Sequence, residues 1–387
     1  MSEHLNIQRI LDLDVSGGHS AFLWGPRKTG KTTYLRRKFP QSPRYDLLET
    51  DLYLRLSKEP FRLREELVAL SPSDPVIIDE IQKVPTLLDE VHWLIENKKL
   101  SFVLCGSSAR KLKRSHANLL GGRAWRFELH PLTTKELGEE FDLLKALNRG
   151  LIPSHYLDED YGRSLKAYIN DYLKEEIQNE GLVRNLPAFA RFLDAVAFTH
   201  GELVNYTNIA NECGIDAKTV AEYFQILVDT LVGSFLEPFH RRRKRRVISE
   251  TRRFYLFDVG VANALTRRSL EIDRGPEFGR AFEHLVLMEL TAYRAYHEKD
   301  GPLRFWRTKE GYEVDFVVDD AAVAIEVKGS RTISSQELKG LKVFVDEYKP
   351  KKAFVVSMEP VPRKLSSGIE ILPWKIFFER LWAGEIF

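Results

Sequence analysis

Three features of this sequence predict an α/β architecture built on a parallel sheet. Short apolar runs (AFLW at 21–24, PVIIDE at 75–80, SFVLCG at 101–106, WRFELH at 125–130) alternate with amphipathic stretches. That is the pattern of strands buried on both faces by crossover helices. A glycine-rich loop, Gly25–Thr32, follows the first run and leads into a helical stretch. Far downstream, Glu313–Lys328 reads EVDFVVDDAAVAIEVK, two apolar runs around an acidic turn, with Glu313 and Asp315, then Glu326 and Lys328, spaced two apart. Such spacing is that of a hairpin with one charged face.

At 387 residues the chain exceeds one ordinary core, so two or three domains are expected. An apolar fraction of 43% and a charged fraction of 29% describe a folded, soluble chain. The net charge of +2 excludes a global polyelectrolyte, and any nucleic-acid surface must be a local patch. Cys105 and Cys213 stand far apart, which argues for a reducing compartment and against a disulfide framework or zinc site. The opening MSEHLNIQRILDLDVSGG lacks the basic and apolar regions of a secretory signal, and no apolar run is long enough to span a bilayer. A cytoplasmic protein without a membrane partner is the expectation.

Four regions follow in order. Residues 1–135 hold the parallel-sheet core. Residues 136–186 are charged and helical, a linker or lid, with Leu165, Tyr168, Ile169, Tyr172, Leu173 and Ile177 at helix spacing. Residues 187–268 read as a small helical unit and two short strands. Residues 269–387 read as a helix, three strands, a helix and a strand.

In the first region Gly25, Pro26, Arg27, Lys28, Thr29, Gly30, Lys31 and Thr32 spell G-x-x-x-x-G-K-T in the strand–loop–helix setting that motif requires, with Thr33 next. The loop amides and the helix N-terminus cradle phosphate oxygens. Lys31 is expected to reach the β- and γ-phosphates of ATP, and Thr32 to ligate Mg²⁺. PVIIDE ends in Asp79 and Glu80, the form of a Walker B strand. Asp79 is expected to hold Mg²⁺ through water, and Glu80 to orient or deprotonate the attacking water. FVLCGSS ends in Ser107 and Ser108, where a γ-phosphate sensor belongs, although an ordinary strand-end turn reads the same way.

In the third region, YTNIANECGIDAKTVAEYFQILVDTLVG (206–233) reads as two helices around Gly214. Ile209, Ala210, Val220, Tyr223, Phe224 and Leu227 face the core, while Lys218, Thr219 and Glu222 face outward, where a recognition helix meets a groove. Two strands then flank a basic tip: between His240 and Arg253 eight Lys/Arg stand against one Glu. Arg241, Arg242, Arg243, Lys244, Arg245 and Arg246 are the candidate contacts to a DNA backbone. A solvated loop, or a module that docks a protein, is the competing reading.

In the hairpin, a turn centred on Asp320 and Ala321 sets Asp315 across from Glu326, and Glu313 across from Lys328. Two carboxylates so placed repel unless a cation lies between them. Asp315 and Glu326 are therefore expected to hold Mg²⁺, with Lys328 stabilising developing charge or positioning water. A solvated face with a Lys328–Glu313 surface pair is the alternative.

In order and spacing, GPRKTGKTT, IIDEIQKVP, LCGSS and GGRAWRFELHPLTTKEL resemble prokaryotic single-chain AAA-superfamily ATPases with a nuclease-like C-terminal domain. The likeness continues through the helix–turn–helix region, FYLFDVGVANAL, EVDF and EVK. It implies an ASCE-type parallel sheet with the P-loop strand central, a winged helix, and a restriction-endonuclease-like domain of the D…E-x-K pattern, in which Glu283 is the additional helix carboxylate and a further Mg²⁺ ligand. It also implies that Arg123 is an arginine finger acting on a neighbouring subunit, hence a homo-oligomer such as a dimer or hexameric ring. An intrachain ion pair is the other reading of Arg123. The function expected is an ATPase that binds DNA, branched DNA included, and couples hydrolysis to its remodelling or translocation, with a C-terminal domain poised for DNA cleavage. The alternative is an ATP-gated signalling or defence switch whose winged helix docks a protein or operator.

Overall fold

The computed structural model describes residues 7–108, 120–173, 185–240, 251–271 and 273–387. It comprises two compact units. One is Gln8–Pro131 with Asp229–Val232, and the other is formed mainly by Leu132–Val228 and Gly233–Phe387.

The first unit is a five-stranded sheet of β1 (Ser20–Trp24), β2 (Arg44–Asp46), β3 (Val76–Asp79), β4 (Phe102–Gly106) and β5 (Ala124–Glu128), in the order β2-β3-β4-β1-β5. Every pairing is parallel. All residues of β1, β3 and β4 are buried, which is why these segments read as unbroken apolar runs. β4 lies between the P-loop strand and the Walker B strand, so β1 is interior but the middle position belongs to β4, not to the P-loop strand. The edge strand β2 escapes the sequence pattern because RYD has only one buried residue. Leu52, Leu56, Leu63, Leu67, Val91 and Leu94, from helices α1 (Thr50–Lys58), α2 (Phe61–Leu70) and α3 (Leu87–Lys98), pack in one core with Phe22, Ile78 and Leu104. Each such aliphatic side chain contributes about 1.5–3 kcal/mol on burial.

In the second unit, helices α4 (Leu186–Phe198), α5 (Tyr206–Cys213) and α6 (Ala217–Asp229) precede β6 (Gly233–Pro238) and β7 (Arg253–Leu256). Ile209, Ala210, Val220, Tyr223, Phe224 and Leu227 are all buried, as their spacing predicts. Gly214 sits at φ 66°, the left-handed turn that glycine adopts at least cost between the two helices. β6 and β7 are antiparallel, with Gly233 opposite Leu256 and Leu236 opposite Arg253.

These two strands do not stand apart from the C-terminal region. β6 pairs in parallel with β8 (Leu303–Arg307), giving one eight-stranded mixed sheet with β9 (Glu313–Val318), β10 (Val323–Lys328), β11 (Lys352–Ser357), β12 (Arg363–Lys364) and β13 (Glu370–Pro373). Helix α7 (Pro276–Tyr296) buries Phe278, Phe282, Leu285 and Leu290 in a core shared with Phe316, Ile325 and Phe354. Helix α8 (Lys339–Tyr348) starts later than its Ser334–Glu337 capping box, in which Ser334 N–H donates to Glu337 at 2.8 Å. Glu289 on α7 is 1% exposed and accepts from Thr134 N–H, the Thr134 hydroxyl and Trp382 Nε1–H at 2.8, 2.8 and 2.7 Å.

Candidate functional site

At the carboxyl ends of the parallel strands, the Gly25–Thr32 loop turns from β1 into the helix Lys31–Lys38. Gly30 adopts φ 92°, and Lys28 also takes positive φ, so the loop curls back over its own start. Lys31 is 6% exposed and its ammonium donates to the carbonyls of Gly25 and Pro26 at 2.7 and 2.9 Å. Thr29 donates to Pro26 O at 2.9 Å, which closes the turn. The Thr32 hydroxyl donates to Asp79 Oδ2 at 2.6 Å, bringing together residues separated by 47 positions. Arg27, Lys28 and Thr33 lie on the more open side of the loop.

Glu80, 8% exposed and at φ 57°, is turned off the end of β3, where the Gln82 amide donates to its carboxylate. The same amide nitrogen lies 3.2 Å from Ser107 Oγ. Ser107 and Ser108 are both 1% exposed, and Ser108 donates to Asp229 O at 3.3 Å. The sequence reading named the glutamate and the serines but missed Gln82, which joins them. It missed Arg9 as well, whose guanidinium donates to Thr29 O at 2.7 Å and His130 O at 2.6 Å, tying the loop to the end of the sheet. Nothing in IQRIL signals that role. Arg123 pairs with Glu96 of its own chain, with 40% and 44% of the two side chains exposed.

Thr32 and Asp79 offer hard oxygen donors side by side, and they fit Mg²⁺, which takes one or two protein oxygens and completes its shell with phosphate and water.

The expected hairpin register is found in the second unit. Val318, Val317 and Phe316 pair with Val323, Ala324 and Ile325, and continuing that register sets Asp315 opposite Glu326. Asp315 Oδ2 accepts from Val327 N–H at 2.8 Å. Asp315 and Glu326 are 6% and 5% exposed. Glu283 on α7 joins them, accepting from the Tyr255 hydroxyl at 2.6 Å. Burial, followed by the charge of Asp315, pushes Glu283 up to about 7 and Glu326 up to about 8. The surface pair of Lys328 with Glu313 does not form. Lys328 bonds Glu326 at 2.6 Å, and Glu313 is held by Arg253 and Arg307.

Arg253, from β7, is the residue that sequence reasoning missed here. It is 5% exposed and pairs with Glu283 at 3.2 Å and with Glu313, reaching to 4.0 Å from Asp315. Among the described residues no group of three His, Cys, Asp or Glu side chains is arranged to hold a metal ion. Glu283, Asp315 and Glu326, expected as Mg²⁺ ligands, therefore do not fit that ion as their side chains stand. Buried carboxylates need positive charge, and Arg253 and Lys328 supply it.

Lys218 is exposed near the start of α6, and Asp216 accepts there from Thr219 N–H at 2.9 Å and from the Thr219 hydroxyl at 2.7 Å. Arg241, Arg242, Arg243, Lys244, Arg245 and Arg246 lie outside the described residues.

No helix among the described residues is long and apolar enough to cross a membrane. Comparison with known proteins finds the family described as AAA domain over residues 18–138. Two families described as domains of unknown function, DUF8612 and DUF4143, match residues 140–271 and 278–377. An uncharacterized protein of Mycobacterium tuberculosis is 28% identical over 307 residues, covering 77% of this chain and 67% of its own length. One from Methanocaldococcus jannaschii is 22% identical over 343 residues, covering 81% and 75%. Among solved structures, the Aeropyrum pernix ORC1 protein in complex with DNA is 16% identical, with a TM-score of 0.28, over 64% of this chain and 86% of that one. A STAND protein with a tetratricopeptide repeat sensor from Pyrococcus horikoshii is 14% identical, with a TM-score of 0.20, over 74% and 50%. At those scores neither structural likeness carries weight. The sheet order, the loop geometry and the family match agree on one statement: residues 18–138 match the AAA domain family and carry a P-loop on a parallel sheet.

Proposed function

We propose that this chain is a Mg²⁺-dependent ATPase that binds DNA and couples ATP hydrolysis to DNA remodelling or translocation. The observation that carries the reading is the convergence of Lys31, Thr32, Asp79 and Glu80 at the strand ends. Gly25–Thr33 wrap the phosphates with backbone amides, and Lys31 exchanges loop carbonyls for phosphate oxygens. Thr32 and Asp79 hold Mg²⁺, which when bound neutralises charge on the phosphates. Glu80, oriented by Gln82, positions the attacking water and takes its proton. Ser107 and Ser108 sense the γ-phosphate, and Arg123 of a neighbouring subunit completes the site in an oligomer.

DNA is gripped at its backbone by Lys218 and by Arg241–Arg246, whose charge density in the sequence supports phosphate contacts over base reading. One finding favours a second reading, in which ATP sets an oligomeric state and the C-terminal domain is a platform without chemistry: Arg253 fills its carboxylate cluster.

The test is ATP hydrolysis with duplex, single-stranded and branched DNA, comparing the wild type with Lys31→Ala and with Arg241–Arg246 changed to alanine. Stimulation by DNA that both variants lose is expected. Hydrolysis indifferent to every DNA form would sink the coupling.

A further inference from the structure

We propose that Asp229–Val232 form a nucleotide-controlled latch on helix α6, released when the γ-phosphate draws the Ser108 hydroxyl away from the Asp229 carbonyl. The inference rests on the ATPase reading and adds to it the route by which nucleotide reaches the helix that carries Lys218.

The turn that joins α6 to β6 is packed away from both. Val228 and Gly233 lie in the second unit, whereas Asp229–Val232 pack within the ATPase unit. A short turn from helix to strand ordinarily runs over the surface. This one is buried: Thr230 is 4% and Val232 1% exposed, and Leu231 packs against the core that holds Phe22, Ile78 and Leu104. Leu231 takes φ 59°, a conformation that a bulky side chain adopts only where its surroundings impose it. Gly233 is pinned as well, since a Cβ there would collide with the Phe254 ring and with Tyr255 O. The turn therefore has little slack. A shift of Asp229 must appear in the last turn of α6 or at the start of β6.

One bond ties this turn to the nucleotide site. Ser108, two residues beyond the end of β4, donates its hydroxyl to Asp229 O at 3.3 Å. Asp229 is the last residue of α6, where carbonyls look outside the helix for a partner. Ser107, its neighbour, accepts from Gln82, whose amide also holds Glu80. The two serines thus link the hydrolytic carboxylate to the end of α6. A hydroxyl has one hydrogen to donate. At 3.3 Å its bond to a neutral carbonyl is long, whereas bonds to an anionic phosphate oxygen are shorter and about twice as strong. A γ-phosphate within reach of Ser108 wins that hydrogen, and the tie to Asp229 breaks. ADP lacks the γ-phosphate and leaves the tie in place.

The test is backbone hydrogen exchange over residues 226–236 of the full chain, saturated with Mg²⁺ and either ADP or the non-hydrolysable analogue AMP-PNP. Calorimetry checks that each nucleotide is bound. In the wild type the amides of 229–233 should exchange several-fold faster with AMP-PNP than with ADP. Ser108→Ala should exchange fast with both, and Ser108→Thr, which keeps the hydroxyl, should restore the difference. Equal exchange in the wild type with both nucleotides overturns the proposal. So does a Ser108→Ala protein that keeps the wild-type difference. Should Ser108→Ala fail to fold, Leu231→Gly decides: glycine suits φ 59° and withdraws the side-chain anchor, so the nucleotide difference should vanish. Its persistence there would overturn the latch. A wild type that binds neither nucleotide overturns the ATPase reading along with this one, whereas binding without a response in 229–233 overturns this one alone.

Discussion

Glu289 gives a prediction whose size and sign both come from the structure. Its carboxyl is enclosed at the N-terminus of the short helix Thr134–Leu137, against Trp382, and burial raises it from 4.5 to about 7, against the three donors that lower it. The folded state thus holds the proton more tightly than the unfolded chain. Its stabilising contribution is fully present below pH 4.5 and is lost as pH rises through about 7. About 2.5 units at 1.36 kcal/mol each gives roughly 3 kcal/mol between those limits. Glu289→Gln cannot titrate. At about pH 4.5 the variant should be less stable by about 1–3 kcal/mol, because an amide NH₂ must face one of the three donors. By about pH 8 that gap should close or reverse by roughly 3 kcal/mol. Urea unfolding of both proteins over a pH series measures it. A difference between wild type and variant that stays flat with pH would refute the reasoning, since the carboxyl would then titrate alike folded and unfolded.

Three further outcomes concern the ATPase unit. Arg9→Ala removes two short charge-assisted bonds to Thr29 and His130 and should weaken ATP binding about tenfold by calorimetry, with Arg9→Lys intermediate. Gln82→Ala frees the Glu80 carboxylate and should change kcat several-fold while the ATP Kd moves by less than about twofold; an equal change in both would make Gln82 a folding residue. Arg123→Ala should lower kcat about a thousandfold if the finger acts in trans, whereas Glu96→Gln leaves kcat intact; an unchanged kcat in Arg123→Ala leaves only the exposed intrachain pair.

The ATPase fold was legible because it rests on local rules. Gly25–Thr32 need glycine φ values and a lysine at fixed offsets, and a strand buried on both faces must be apolar at every position. The hairpin register was legible for a related reason: strand faces alternate, so a turn at Asp320–Ala321 fixes which residues oppose one another. Short β2, with one buried residue, left no such trace.

What the sequence by itself determined is the set of groups proposed to meet phosphate, Mg²⁺ and DNA, together with the local frame that carries them. Only the tertiary structure decided which charges meet. Gln82 on Glu80, Arg9 on the loop, Thr219 on Asp216 and above all Arg253 among Glu283, Glu313 and Asp315 are choices of partner. Arg253 and Glu313 are 60 positions apart, and β6 had to join β8 in one sheet before they could touch. Periodicity encodes which face of an element is buried, but the partner of a buried charge is settled by whichever opposite charge the finished packing brings within reach.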